Sequence, residues 1–220
     1  MKKLFTILTA FALTTIAAQA QSIIANWTFE PDPLATNVTN STVGPFSPAL
    51  GAGSVTGVHA SSNTVWSSPS GNGSANSLSA NSWTTGDYFQ FQFSTLTFSN
   101  IGMTWSQTRS GTGPTNFSLS YSTDGTAFTT LTNYSVAQVT WNGTSNNIAS
   151  IFTADFATTT SVDNLADVYF RLVSEQTAAS GGTGRIDDIT ITGVPEPSTY
   201  AMLALAGAGF AGYVIRRRRR

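Results

Sequence analysis

Between Gln21 and Gly193 short runs carry apolar side chains at every second position, and no long stretch repeats with a period near 3.6. A period of two puts alternate residues on opposite faces of a strand, so the chain is confined to β-structure. Phe89, Phe91 and Phe93 share one face of a run that opens at Asp87, and Phe117, Leu119 and Tyr121 alternate with Ser118, Ser120 and Ser122. Residues 168–173 and 186–192 are further strands, and Thr123-Asp124-Gly125, Asn142-Gly143 and Gly181-Gly182 supply the turns. Short strands at this spacing predict an all-β fold, an antiparallel two-sheet β-sandwich. Residues 31–82, rich in Ser, Asn, Gly and Pro, read as long loops with a few short strands inside the same domain.

Such a fold needs a core, and 14 Phe, 6 Tyr and 5 Trp can build one in a 220-residue chain. Charged residues are only 10%, against about 25% in a typical globular protein. Seven of the ten basic residues lie in the two ends; residues 21–195 hold three arginines against ten acids, a net charge of −7. A lysine-free acidic domain lacks the cations that neutralise phosphates, which argues against nucleic acid as a partner. There is no cysteine, so disulfides, thiolate metal sites and Cys nucleophiles are excluded.

The ends have their own logic. Residues 1–20 combine a basic start (Lys2, Lys3), a mostly apolar stretch and Ala18-Gln19-Ala20 before Gln21. That is the pattern of a signal peptide cut by signal peptidase. At the other end, residues 200–215 carry no charge and five arginines follow, Arg216, Arg217, Arg218, Arg219 and Arg220. Sixteen helical residues span roughly 24 Å, close to a bilayer core of about 30 Å once flanking arginines snorkel. The arginines should stay on the cytoplasmic side of the inner membrane and leave the body outside.

Pro195-Glu196-Pro197, an apolar run and a terminal Arg cluster together resemble the PEP-CTERM sorting signal over residues 194–220. The resemblance implies recognition by an exosortase, a membrane-embedded transpeptidase-like enzyme that cuts near the motif. It also implies a Gram-negative bacterium that makes extracellular polysaccharide, biofilm or floc, and a protein destined for the cell envelope or extracellular matrix. Two prolines disfavour helix and should keep the cut segment extended and accessible. The expected organisation is therefore signal peptide 1–20, β-sandwich 21–193 and sorting tail 194–220.

Catalytic patterns are sparse. The one histidine, His59, lies in a Gly/Ser-rich stretch without a nucleophile elbow, and reads as a surface or loop residue. No two acids pair by motif as a glycosidase would require. Arg109, Arg171 and Arg185 stand out because basic residues are rare in this segment; each is expected to pair with an acid or to grip a ligand, and pairing is favoured because an arginine fork matches a carboxylate. Trp27 and Trp105 lie in strand-like runs and should be core. Trp66, Trp83 and Trp141 lie near polar turns and are the candidates for exposed rings that stack on sugars. Seven N-x-[ST] sequons follow mainly from composition.

Residues 24–30, ending in Phe29-Glu30, and residues 184–191, with Ile186-Asp187-Asp188-Ile189, resemble the opening and closing strands of jelly-roll domains of the carbohydrate-binding-module type. In those families the corresponding acids help hold a structural calcium. The resemblance places the metal on Glu30 and Asp187, with Asp188 a weaker candidate, and the ligand types suit calcium. The function these features imply is a non-catalytic exported protein whose sandwich contacts polysaccharide. The alternatives are a secreted glycan hydrolase and a purely structural surface protein.

Overall fold

The computed structural model describes residues 20–196 together with Gly207, Gly209, Arg216 and Arg217. The expected signal peptide up to Gln19, and Pro197, Arg218, Arg219, Arg220 and most of the apolar run, lie outside the described residues. Among the described residues no helix is long and apolar enough to cross a membrane.

Fourteen strands follow one another, joined by loops and two single-turn 3₁₀ helices. They are β1 (Ser22–Trp27), β2 (Val38–Thr39), β3 (Thr42–Phe46), β4 (Leu50–Gly51), β5 (Gly53–Val58), β6 (Val65–Ser67) and β7 (Leu78–Ala80). Then come β8 (Tyr88–Phe93), β9 (Phe98–Arg109), β10 (Asn116–Ser122), β11 (Thr129–Ser135), β12 (Ile151–Asp155), β13 (Val168–Ser174) and β14 (Gly184–Pro195). They form two antiparallel sheets, as the alternation predicts. One has six strands in the order β11-β10-β13-β8-β5-β3. The other has eight, with the long β14 between β9 on one side and both β7 and β1 on the other.

The inward faces follow from the period of two. Phe89, Phe91 and Phe93 of β8 and Val168, Phe170 and Leu172 of β13 are buried, while the residues between them are half-buried on the outer face. Opposite them β14 contributes Ile186, Ile189 and Ile191. Large aromatics fill the space between the sheets. Trp83 meets Phe89 at 5.2 Å and Phe117 at 5.5 Å between ring centroids, and Phe156 stacks on Phe170 at 4.2 Å.

Three expectations are corrected here. Trp66, Trp83 and Trp141 are not exposed; they are 0%, 0% and 5% accessible and offer no face to a sugar. Their indole N–H groups donate to Asn40 O, Ala80 O and Ser150 Oγ, so each buried ring keeps a hydrogen-bond partner. His59 is buried too, between Trp66 and Trp83 with centroids 4.7 and 4.2 Å away, and its Nδ1 lies 3.5 Å from Asp87 Oδ2. Residues 31–82 are more ordered than composition suggests, for they hold β2 to β7.

Candidate functional site

The outer face of the six-stranded sheet is where the fold gathers chemistry. Cross-strand register sets three rows over four strands. The first reads Ser118, Val173, Tyr88, Val58; the second Ser120, Arg171, Gln90, Thr56; the third Ser122, Tyr169, Gln92, Ser54. Tyr88, Tyr169, Gln90, Gln92 and Arg171 are all half-buried, so rings and amides face solvent side by side. The β10–β11 turn folds back over this face. Asp124 accepts from the Thr126 and Ala127 N–H groups and from Ser122 Oγ, and these bonds hold its carboxyl well below the usual range. Gly125, at φ +73°, lies close enough to the Tyr169 ring that a Cβ would sit 3.1 Å from it. The same turn brings Phe128 onto Arg171.

Arg171 is held from three directions. Its guanidinium carbon lies 4.0 Å from the Tyr88 ring centroid and 3.6 Å from that of Phe128. Nε donates to Gln90 Oε1 at 2.9 Å. Desolvation lowers its pKa, against the opposing effect of Tyr88. The expected arginine–carboxylate pairs do not form among the described residues. Arg109 caps the carbonyls of Val136, Ser110 and Gly111, and Arg185 donates to Ser70 O.

A second depression, of about 530 Å³, lies at one end of the sandwich beside Phe29, Pro31, Pro33, Phe46 and Pro48. Prolines supply no N–H donors there, so it is poorer than the sheet face in groups that can orient a hydroxyl-rich ligand.

The acids singled out for calcium converge on one loop, residues 70–76. β1 and β14 pair as opening and closing strands, Trp27 opposite Ile189, which brings Glu30 near Asp188. Glu30 accepts from Asn76 N at 2.7 Å and from Asn76 Nδ2 at 2.6 Å. Asp187, fully buried, accepts from Asn72 N and Ser74 Oγ through Oδ2 and from Asp188 N through Oδ1. Burial pushes the Asp187 carboxyl up to about 7, and the neighbouring Asp188 charge adds to that. Asp188, at φ +49° in a register shift of β14, is raised by burial and then by Glu30. Among the described residues no group of three or more His, Asp or Glu is arranged to hold a metal. Calcium wants six to eight oxygens, whereas the oxygens of Glu30 and Asp187 already face N–H and O–H donors. The donor set as folded does not fit the ion.

The first of the sorting residues, Pro195, is in the sheet. β14 runs two residues past the expected domain boundary, with Val194 opposite Ser99 and Pro195 opposite Phe98. Glu196 N donates to Thr97 O at 2.7 Å. Pro195 lacks an N–H but tolerates this place at the strand's end. No periodicity signals this, because the pairing is fixed by β9 and not by local sequence.

No curated protein matches the chain. Among solved structures, endo-1,4-β-D-xylanase 10B of Clostridium thermocellum, with its carbohydrate-binding and GH10 modules and xylohexaose bound, is similar at 15% identity and TM-score 0.48. That match covers 80% of this chain but only 29% of the xylanase chain. A carbohydrate-binding module described for specific mannan recognition matches at 12% identity and TM-score 0.43, covering 79% of this chain and 98% of its own. A cleaved adhesin domain of Lys-gingipain from Porphyromonas gingivalis matches at 11% identity and TM-score 0.43, covering 78% of this chain and 97% of its own. The family described as PEP-CTERM protein-sorting motif matches residues 193–220. The chain thus ends in a PEP-CTERM sorting motif, the mark of an exported protein anchored transiently in the membrane and processed by an exosortase.

Proposed function

We propose that this is a non-catalytic exported protein whose six-stranded sheet binds polysaccharide on its outer face, at the envelope surface or in the matrix of a Gram-negative bacterium. One observation carries the reading: Tyr88, Tyr169 and Phe128 stand half-exposed beside Gln90, Gln92 and Thr56 on one sheet face. Ring faces stack on the apolar faces of sugars, and amides and hydroxyls bond the equatorial hydroxyls. An open face suits a chain-like ligand better than a closed pocket does. Tyr88→Ala and Tyr169→Ala should each weaken retention in affinity gels containing soluble polysaccharides by about tenfold, equivalent to 1.4 kcal/mol. Melting temperature should change little, since both rings lie outside the core. Retention unchanged in both variants would rule this face out. Release of reducing sugars by the purified domain would favour a hydrolase instead.

We also propose that the loop 70–76, in place of a calcium ion, ties the two terminal strands together. The support is the set of donors it aims at Glu30 and Asp187.

A further inference from the structure

The domain's three arginines are used unequally. Arg109 donates from Nε and Nη1 to three carbonyls, and Arg185 from Nη1 to one. Arg171 spends only Nε, on Gln90. Among the described residues its terminal nitrogens donate to nothing, and no carboxylate lies within ion-pair distance of it. Tyr88 and Phe128 both lie against the guanidinium. The donors left unused are those of Nη1 and Nη2, along one edge of the fork. That edge matches a carboxylate with two parallel N–H···O bonds, and the rings and Gln90 have already fixed its orientation.

We infer that the polysaccharide bound by this sheet face contains uronic acid, and that the Arg171 edge takes its carboxylate. The inference rests on the reading of the face as a glycan site and adds the ligand's charge. Overall charge points the other way, since residues 21–195 carry −7. A polyanion therefore gains nothing from long-range attraction, and selectivity has to come from this one oriented fork. A sulfate ester shares the negative charge but not the planar two-oxygen shape.

The test compares polygalacturonate with its methyl ester, which keeps the backbone and removes the charge, and with dextran sulfate. Hydrogen bonds to a charged group contribute about 1.5–3 kcal/mol, so the acid form should bind roughly 10- to 100-fold more tightly than the ester. Arg171→Gln should abolish that preference, read as the ratio of acid to ester affinity within the variant. Gln90→Ala keeps the charge but frees the fork, and should reduce the preference without removing it. Melting temperatures show that both variants fold. Equal binding of acid and ester, a preference that survives Arg171→Gln, or dextran sulfate bound as tightly as polygalacturonate overturns the inference and leaves the face a neutral or general glycan site. Binding to none of the three, with neutral glycans bound and lost in Tyr88→Ala, also overturns it. If no glycan binds at all, the reading of the face falls with it.

Discussion

At the scale of single residues, two buried groups titrate in opposite senses. Asp187 holds its proton to about pH 7 in the folded state and to 3.8 when free. Its contribution to stability is complete below 3.8 and is lost as pH rises towards 7. His59 runs the other way. Burial between two tryptophans lowers it from 6.5 to about 4, against the pull of Asp87 and a hydrogen bond to the Asn81 backbone. Its contribution is complete above 6.5 and is lost as pH falls towards 4. Between those limits each group exchanges one proton on unfolding, so their slopes offset. Asp187→Asn removes one side of the balance. Subtracting wild type from variant also cancels Asp163 and Asp188, which burial raises in both. That difference should favour the variant by up to about 1.4 kcal/mol more per pH unit between pH 4 and 7. Urea midpoints at four pH values read it, and a difference that stays constant refutes the Asp187 assignment. None of this was legible in the sequence. His59 and Trp66, Trp83 and Trp141 sit beside Ser, Asn and Gly, and those neighbours predict exposure. The tryptophans are buried because the fold brings each indole N–H an acceptor, Asn40 O, Ala80 O or Ser150 Oγ.

Elements were legible where a strand is long and covered on one face only. β8 and β13 show the alternation openly because their outer faces stay partly wet; β10 shows it in residue type alone, its outward serines being buried as well. β2, β4, β6 and β7 have two or three residues each, too few for a period to show, and they exist because neighbouring strands pair them. The candidate face follows the same rule. Its rows could be drawn from β8 and β13 once their register was known, yet the turn that lays Phe128 over Arg171 has no signature in spacing. Loop 70–76 is the strongest case of tertiary control. A Cβ on Gly71 would run into Asp187 Oδ2, Ser74 Oγ and the Asn76 carbonyl, so only glycine lets the loop close around the buried carboxyl. Asn72 extends the grip, its Nδ2 donating to Ser106 Oγ at 3.0 Å and its Oδ1 accepting from Asn147 N. Gly71→Ala should destabilise the domain by about 2–4 kcal/mol, through displaced donors and a buried carboxyl left short of partners. Wild type should melt at one temperature in calcium and in EDTA. A rise of several degrees with calcium, absent in Asp187→Ala, would restore the ion and demote the loop.

For the whole molecule, the sorting motif is an extension of the fold. Pro195 is paired with β9 and Glu196 is bonded to Thr97, so the sandwich ends inside the segment an exosortase has to read. Only Pro197, Ser198 and Thr199 separate Glu196 from the apolar run at 200–215. Fully extended, three residues reach about 10 Å, and the polar zone on each side of a bilayer is about 5–8 Å deep. While the tail is anchored, that tether holds the end of the sandwich against the headgroups. The loop it presents carries Leu96, 52% exposed, next to the Thr97 carbonyl that binds Glu196. If residues 200–215 span the bilayer, an enzyme embedded in the membrane should engage the motif only after the end of β14 peels from β9. The cost is small, because the last pairings lie at the sheet's fraying end and not among the buried isoleucines of β14. On that expectation, processing should be sensitive to how firmly residues 194–196 are held. Inserting six Gly/Ser residues between Gly193 and Val194 would free the motif from the sheet and lengthen the tether by about 20 Å. In pulse–chase experiments in cells with the exosortase, the inserted protein should lose its tail several-fold faster than wild type. Equal rates would show that the motif is read without leaving the sheet. Slower processing would show that the strand end presents the motif to the enzyme, and that β9 helps to display it.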